Sequence, residues 1–465
     1  MNTILNFRDI DIYILYYLKL KTILLLATIS KNQNILISNL DFFQEFCLLK
    51  KRNIKLSNII DYAAKKNFIA LINWMSKSVN KFEYSINAVI FASSNGYISI
   101  LEWFRNSPYE FKYNNDAINE ACYYNNINIL EWFKKSPYEF KYDINAINSA
   151  SYEGHISILE WFKNSDYEFK YDDDAINNAS RNGKIQILEW FKNSDYEFRY
   201  DEDAINNASG NGHIQTLDWF RTSGYEFKYS DIAINFACRC GYIVVLEWFK
   251  NSNYEFKYSE YAIDDASENG HLQILEWFKN SNYEFKYSED AIDQASKNGH
   301  LQILEWFKNS NYEFKYSDYA INQASKNGHL HILEWFKNSN YKFKYTKQAI
   351  NLASKEGHID ILEWLDKSEY KFKYDINAID NAAINGHIDI LDWFKNSKHE
   401  FKYSKKAIDG AIKNNKITIL EWFDKSGYEI IYSKNALADT DEYSSIEVIK
   451  WIFNKYTNLN IIQTK

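Results

Sequence analysis

Fourteen tryptophans stand at Trp74, Trp103, Trp132, Trp161, Trp190, Trp219, Trp248, Trp277, Trp306, Trp335, Trp364, Trp393, Trp422 and Trp451, each 29 residues after the last. No insertion or deletion interrupts the series. Such a fixed period marks a repeat array, whose units cannot bury their apolar faces alone and must stack on one another. A typical unit starts at Ala291 and reads A-I-D-Q-A-S-K-N-G-H-L-Q-I-L-E-W-F-K-N-S-N-Y-E-F-K-Y-S-D-Y. Positions are counted below as columns from that alanine.

Column chemistry predicts two helices and an extended segment. Columns one, two and five are Ala, Ile and Ala, an amphipathic spacing with a small-residue packing face. Ser or Asp just before it, as at Ser288 and Asp172, suits a helix N-cap. Column nine is Gly, or Asn at Asn67, Asn125 and Asn415, which is what a left-handed turn between helices demands. The run Leu301-Gln302-Ile303-Leu304-Glu305-Trp306-Phe307-Lys308 then gives a second helix with a wide buried face. Alternation in Tyr312-Glu313-Phe314-Lys315-Tyr316 means extended chain, with aromatics on one side and charge on the other. Only 2 Pro and 14 Gly among 465 residues argue against a turn-dense all-β design, and 46% apolar content supplies a core.

The recurrent A-S-x-N-G-H-I-x-I-L-E-W-F run, for example Ala295 to Phe307, resembles the ankyrin repeat. In that family a small pair closes helix one, G-H makes the turn and an aliphatic run forms helix two; Y-E-F-K is similar to its A-D-V-N. Period and composition further resemble the ankyrin-repeat proteins of giant amoeba-infecting viruses, of mimivirus type. The resemblance implies an all-α, ankyrin-like solenoid of about 14 shortened helix-turn-helix units. It departs from the family in lacking T-P-L-H, whose place is taken by residues such as Asp290-Ala291-Ile292-Asp293, and in lacking the residues of the projecting hairpin tip. A blunter, more helical array is expected. The solenoid is expected over residues 58–435, with a divergent last repeat and C-terminal cap over 436–465.

Candidate chemistry dissolves into the repeat. Column ten holds His155, His213, His271, His300, His329, His358 and His387, but equivalent side chains in adjacent units lie roughly 10 Å apart, too far to share a metal. A backbone hydrogen bond at the turn is the expected role. Acidic column fifteen is followed three residues on by Lys or Arg, as in Glu305 and Lys308, and reads as a solvated helical ion pair. The tryptophans read as core or half-core, with an exposed aromatic stripe as the alternative. Asn or Asp at column three, as in Asn119, Asn177, Asp264 and Asn322, suits hydrogen bonding between neighbouring units. Cys238 and Cys240 form a lone C-x-C without further ligands nearby. No nucleophile, phosphate-loop or metalloprotease pattern occurs, so neither an enzyme nor a cofactor is expected. The net charge of −8 gives no basic footprint, so neither nucleic acid nor membrane is an expected partner. Few, irregular cysteines and the absence of a signal-like leader imply an intracellular, cytoplasmic protein, in host cytoplasm on the viral resemblance.

Function is then expected where repeats differ. The two positions before each first helix vary freely, giving the partner-binding candidates Asp173, Asp174, Glu202, Asp203, Glu260, Tyr261, Glu289, Asp318, Tyr319, Lys347, Lys405 and Lys406. Neutral drift of solvated loop residues is the alternative reading. Residues 1–57 stand outside the repeat. Their Asn6–Asn32 stretch resembles the F-box, with Ile10, Ile14, Leu15, Leu18, Ile23 and Leu24 on its apolar outline but Phe7-Arg8 where the leading Pro belongs. That resemblance implies docking to the bridging subunit of a cullin ubiquitin ligase, whereas the segment is otherwise a helical cap on the first repeat. The function expected is a protein–protein interaction scaffold or adaptor, with an F-box-type substrate receptor as the alternative.

Overall fold

A computed structural model of the chain describes residues 59–78, 82–433 and 447–451. Among the described residues there are helices, turns and irregular segments but no strand. The chain divides into two compact units, Met1–Ser230 and Asp231–Lys465. Among the described residues thirteen helix pairs follow the 29-residue period, six in the first unit and seven in the second. The first pair is α1 (Ile59–Lys65) and α2 (Ile69–Ser78). A typical later pair is Tyr261–Glu268 with Leu272–Lys279. Isolated helices of such length are marginal in water, so packing between repeats must hold them.

Within each unit, first helices pack closely on first helices. Their contact face is Ala, Ile and Ala, as in Ala262, Ile263 and Ala266, all fully buried. Small side chains let the helix axes approach, and column two fills the space beneath. Columns 13, 14 and 17 of the second helix complete the core, as in Ile274, Leu275 and Phe278. The N-caps form as the sequence predicts: Asp172 Oδ1 accepts from the Asp174 N–H at 3.2 Å and Ser288 Oγ from the Asp290 N–H at 3.1 Å.

The turn between the helices is left-handed at column nine. Gly270 has φ +72°, and Asn67, Asn125 and Asn415 take φ +57°, +57° and +55° in the same role. A second constraint is tertiary. A Cβ built on Gly270 would lie 2.8 Å from Nδ1 of His300, one repeat on, so the glycine also makes room for its neighbour's imidazole.

Columns 22 to 26 are irregular and form no β pairing among the described residues, but they do not run straight as expected: column 22 lies in a bend and the column-25 N–H turns back on the column-23 carbonyl, as Lys286 does on Glu284 at 3.1 Å. No described helix is long and apolar enough to cross a membrane. The proposed F-box residues Ile10, Ile14, Leu15, Leu18, Ile23 and Leu24 lie outside the described residues, as does most of 436–465.

Candidate protein-binding surface

Most of the polar and aromatic side chains that recur in sequence are consumed in joining one repeat to the next. On the first-helix side, column three bonds to column 27, at the following N-cap. Asn177 Nδ2 donates to Asp201 Oδ1 at 2.8 Å, and Asn351 Nδ2 to Asp375 Oδ1 at 2.7 Å. Where column 27 is Ser, the partner can be an acid. Ser288 donates to Asp264 through its backbone N–H at 3.0 Å and through its hydroxyl at 2.6 Å. The expected inter-unit role of column three is therefore met. Burial pushes the Asp264 carboxyl up to about 6, against hydrogen bonds from Ser288 that favour the ionised form.

The second-helix side carries the tryptophans. The described indoles are half-buried or better, and in many repeats the N–H reaches the column-fifteen carboxylate of the preceding repeat: Trp161 donates to Glu131 at 2.7 Å and Trp422 to Asp392 at 2.7 Å, whereas Trp103 donates to the Asn73 amide and Trp451 to Asp424 at 2.6 Å. The lysine of column 18 lies over the indole of the next repeat, as Lys134 does over Trp161 at 5.7 Å and Lys308 over Trp335 at 5.6 Å. This corrects the expected ion pair between Glu305 and Lys308: the ammonium is spent on the neighbouring ring. Intrahelical pairing occurs at other repeats, such as Lys250 with Glu247 at 3.8 Å. The reason is geometric, since a stacked indole brings its negative face to where the lysine already points.

Beside this clasp, column 24 packs between rings of the next repeat. Phe140 stacks on Trp161 at 5.5 Å and on Tyr167 at 4.1 Å between centroids. The column-26 hydroxyl crosses as well, Tyr142 Oη donating to the Glu168 carbonyl at 2.6 Å. Desolvation, followed by the Glu168 and Tyr167 charges, pushes the Tyr142 phenol up to about 12.

The histidines take the structural role expected. His155 Nε2 lies 2.9 Å from the Tyr123 carbonyl and His387 Nε2 3.0 Å from that of Lys355, each in the preceding repeat. Burial lowers the pKa of His213, His300 and His329, which favours neutral rings. Among the described residues no group of His, Cys, Asp or Glu is arranged to hold a metal ion. Cys238 is buried and Cys240 exposed, so the C-x-C pair does not face one environment.

What remains for a partner is the variable strip. All twelve candidates, Asp173, Asp174, Glu202, Asp203, Glu260, Tyr261, Glu289, Asp318, Tyr319, Lys347, Lys405 and Lys406, are exposed. In the first unit Asp172, Asp173, Asp201 and Asp203 crowd Asp174, and partial desolvation with these charges raises its pKa. In the second unit the strip passes from acidic Glu260, Glu289 and Asp318 to basic Lys405 and Lys406. Lys347 is partly committed, pairing with Asp375 at 2.7 Å. Tyr261 is 59% exposed. Sequence reading missed the apolar members of the same two columns, Ile86, Ile144, Ile232 and Ile376, each about two-fifths exposed at 40%, 40%, 37% and 42%. Tabulating columns 28 and 29 for every repeat would have found them.

A second surface also escaped the sequence reading. Column eight is Asn in eight repeats, whose Nδ2 donates either to the preceding repeat, as Asn298 does to the Glu268 carbonyl at 2.8 Å, or within its own helix, as Asn269 does to Asp265 at 2.8 Å. Tyr124 and Glu153 replace it in two successive repeats, beside Tyr123 and Tyr152.

No protein-family model matches the chain, and no curated protein does. Among solved structures it is similar to the crystal structure of the pentatricopeptide repeat protein PPR10 from maize, at 9% identity over 93% of this chain and 79% of that one, with a TM-score of 0.32.

Proposed function

We propose that the protein is a non-catalytic scaffold or adaptor that holds another protein against its repeat surface. The observation that carries this reading is the division of labour among columns. Residues that recur are used in seams between repeats, while most of the described positions opening the first helices are exposed and differ in charge and size. Such a surface can be tuned to a partner without touching the core, and complementary charge steers docking. The ankyrin-like resemblance of the repeat supports the same reading, and its viral variant makes the partner a host protein. Residues 1–57 and 436–465 serve in this reading as caps on the apolar ends of the array.

Crosslinking mass spectrometry on the full chain in its native cells would name the partner. Reversing Asp173, Asp174, Glu202 and Asp203 to Lys should then abolish capture while leaving the far-ultraviolet circular dichroism unchanged. Undiminished affinity of that variant for the identified partner would overturn the strip as the docking surface. An F-box-type receptor makes a separate demand: cullin-ligase bridging subunits would be recovered with the intact chain and lost on substitution of Leu15 and Leu18 by Ala.

A further inference from the structure

The first-helix face carries an aromatic and acidic patch at Tyr123, Tyr124, Tyr152, Glu120 and Glu153, separate from the variable strip. Tyr124 is 54% exposed, whereas its column holds asparagine in eight repeats, and Asn182, Asn298, Asn327 and Asn414 use it to bond a carbonyl of the preceding repeat. Two adjacent repeats instead place a phenol and a carboxylate at this position, side by side. The Tyr123 ring meets that of Tyr124 edge-on at 4.8 Å and lies nearly parallel to that of Tyr152 at 6.4 Å, so the three rings form one patch. Glu120 shares their helix face at i+3 and i+4 spacing, and the neighbouring Glu153 carboxylate, with burial, pushes the Tyr123 phenol up to about 12. Among the described residues neither glutamate is ion-paired. Burial, then the charge of Asp116, raises the pKa of Glu120, and a nearby cation would relieve that repulsion.

We infer that this patch docks a basic segment of a partner protein, seating an Arg or Lys side chain on the tyrosine rings beside Glu120 and Glu153. The chain uses the same chemistry internally. Lys65 lies over Phe91 at 4.9 Å on the preceding first helix, and lysines cover the indoles of the other seam. Aromatic faces with carboxylates alongside attract cations by quadrupole and charge together. This surface stands apart from the strip on which the proposed function rests, so either can fail alone.

The test uses the full chain and a fluorescein-labelled oligoarginine peptide, read by anisotropy at physiological salt. Tyr124→Asn with Glu153→Asn restores the residue carried by most other repeats and so preserves folding. That double variant should bind the peptide roughly tenfold more weakly, within the range expected for a partly desolvated cation–π contact and its carboxylate. Tyr124→Phe alone should retain binding, because the ring supplies the attraction. Unchanged affinity in the double variant would overturn the inference. So would a loss of equal size on neutralising the strip through Asp173→Asn and Glu202→Gln, which would mark diffuse attraction by the acidic chain, or comparable binding of an oligoglutamate peptide.

Discussion

The two sides of each repeat are joined to their neighbours by different chemistry. On the first-helix side, small alanines bring backbones close, and a hydrogen-bonded polar pair in most repeats, such as Asn177 with Asp201, fixes the register. On the second-helix side the helices stand further apart, and the gap is filled by indole, phenol and phenyl rings with, in many repeats, a lysine over and a carboxylate beside the tryptophan. Close approach favours donor–acceptor matching at this pair, because a buried charge mismatch has no water to fall back on, although the small hydroxyls of Ser151, Ser209, Ser267 and Ser354 on the same helices are buried without a partner. Ring stacking spreads its energy over area and tolerates substitution. His399 accordingly takes the place of the column-22 tyrosine and stacks on Phe372 at 4.0 Å.

The contrast can be broken at several points, in descending order of effect. Phe162→Ala removes a ring 1% exposed and should cost about 3–5 kcal/mol in urea unfolding, with the loss concentrated in the repeats that flank it. A smaller loss than that of Trp161→Ala would show that the half-buried indoles, not the core phenyls, carry the seam. Asn177→Asp would set two carboxylates face to face across the polar seam and should cost roughly 2 kcal/mol at neutral pH, recovering on acidification. A neutral result would remove the claim that this pair favours matching.

The reverse exchange should stabilise. Asp264 has a folded-state pKa raised from 3.8 to about 6, so its protonated form favours the fold. Its contribution is present below the unfolded value and lost as pH rises from about 4 through 6. Asp264→Asn can make the same bonds to Ser288 as Asn206 makes to Ser230, where Nδ2 donates to the hydroxyl at 3.0 Å. It should therefore raise stability at pH 7 by about 1 kcal/mol and flatten the pH profile in that window, as thermal melts at pH 5 and 7 would show. Least of all, Lys134→Met keeps the stem over Trp161 but removes the charge, and should cost about 0.5–1 kcal/mol, a difference that shrinks in high salt.

Much of this was legible from the chain alone. The tryptophan spacing set the repeat, Gly with Asn at column nine marked the left-handed turn, and Ser or Asp at column 27 marked the N-cap. A subtler rule was present but unread. Asn119, Asn148, Asn177 and Asn351 stand 24 residues before Asp143, Asp172, Asp201 and Asp375, whereas Asp264, Asp293 and Asp380 stand 24 before Ser288, Ser317 and Ser404. Amide faces acid or hydroxyl, as Asn206 faces Ser230, while acid faces hydroxyl, a complementarity that columns read one at a time do not reveal. The strip was found because it varies; the tyrosine patch was missed because Tyr is common everywhere in this chain.

Local chemistry by itself determined the helices, their caps and the period, since these depend on residues within a turn or two of one another. Only tertiary structure decided which partner each recurrent side chain takes. Lys308 had an acid within its own helix and instead lies over the next repeat's indole, and Gly270 serves an imidazole 30 residues away as well as its own turn. Stacking sets those distances, because side chains far apart along the chain meet once the helices pack, and the surfaces left over for a partner are what that packing does not use.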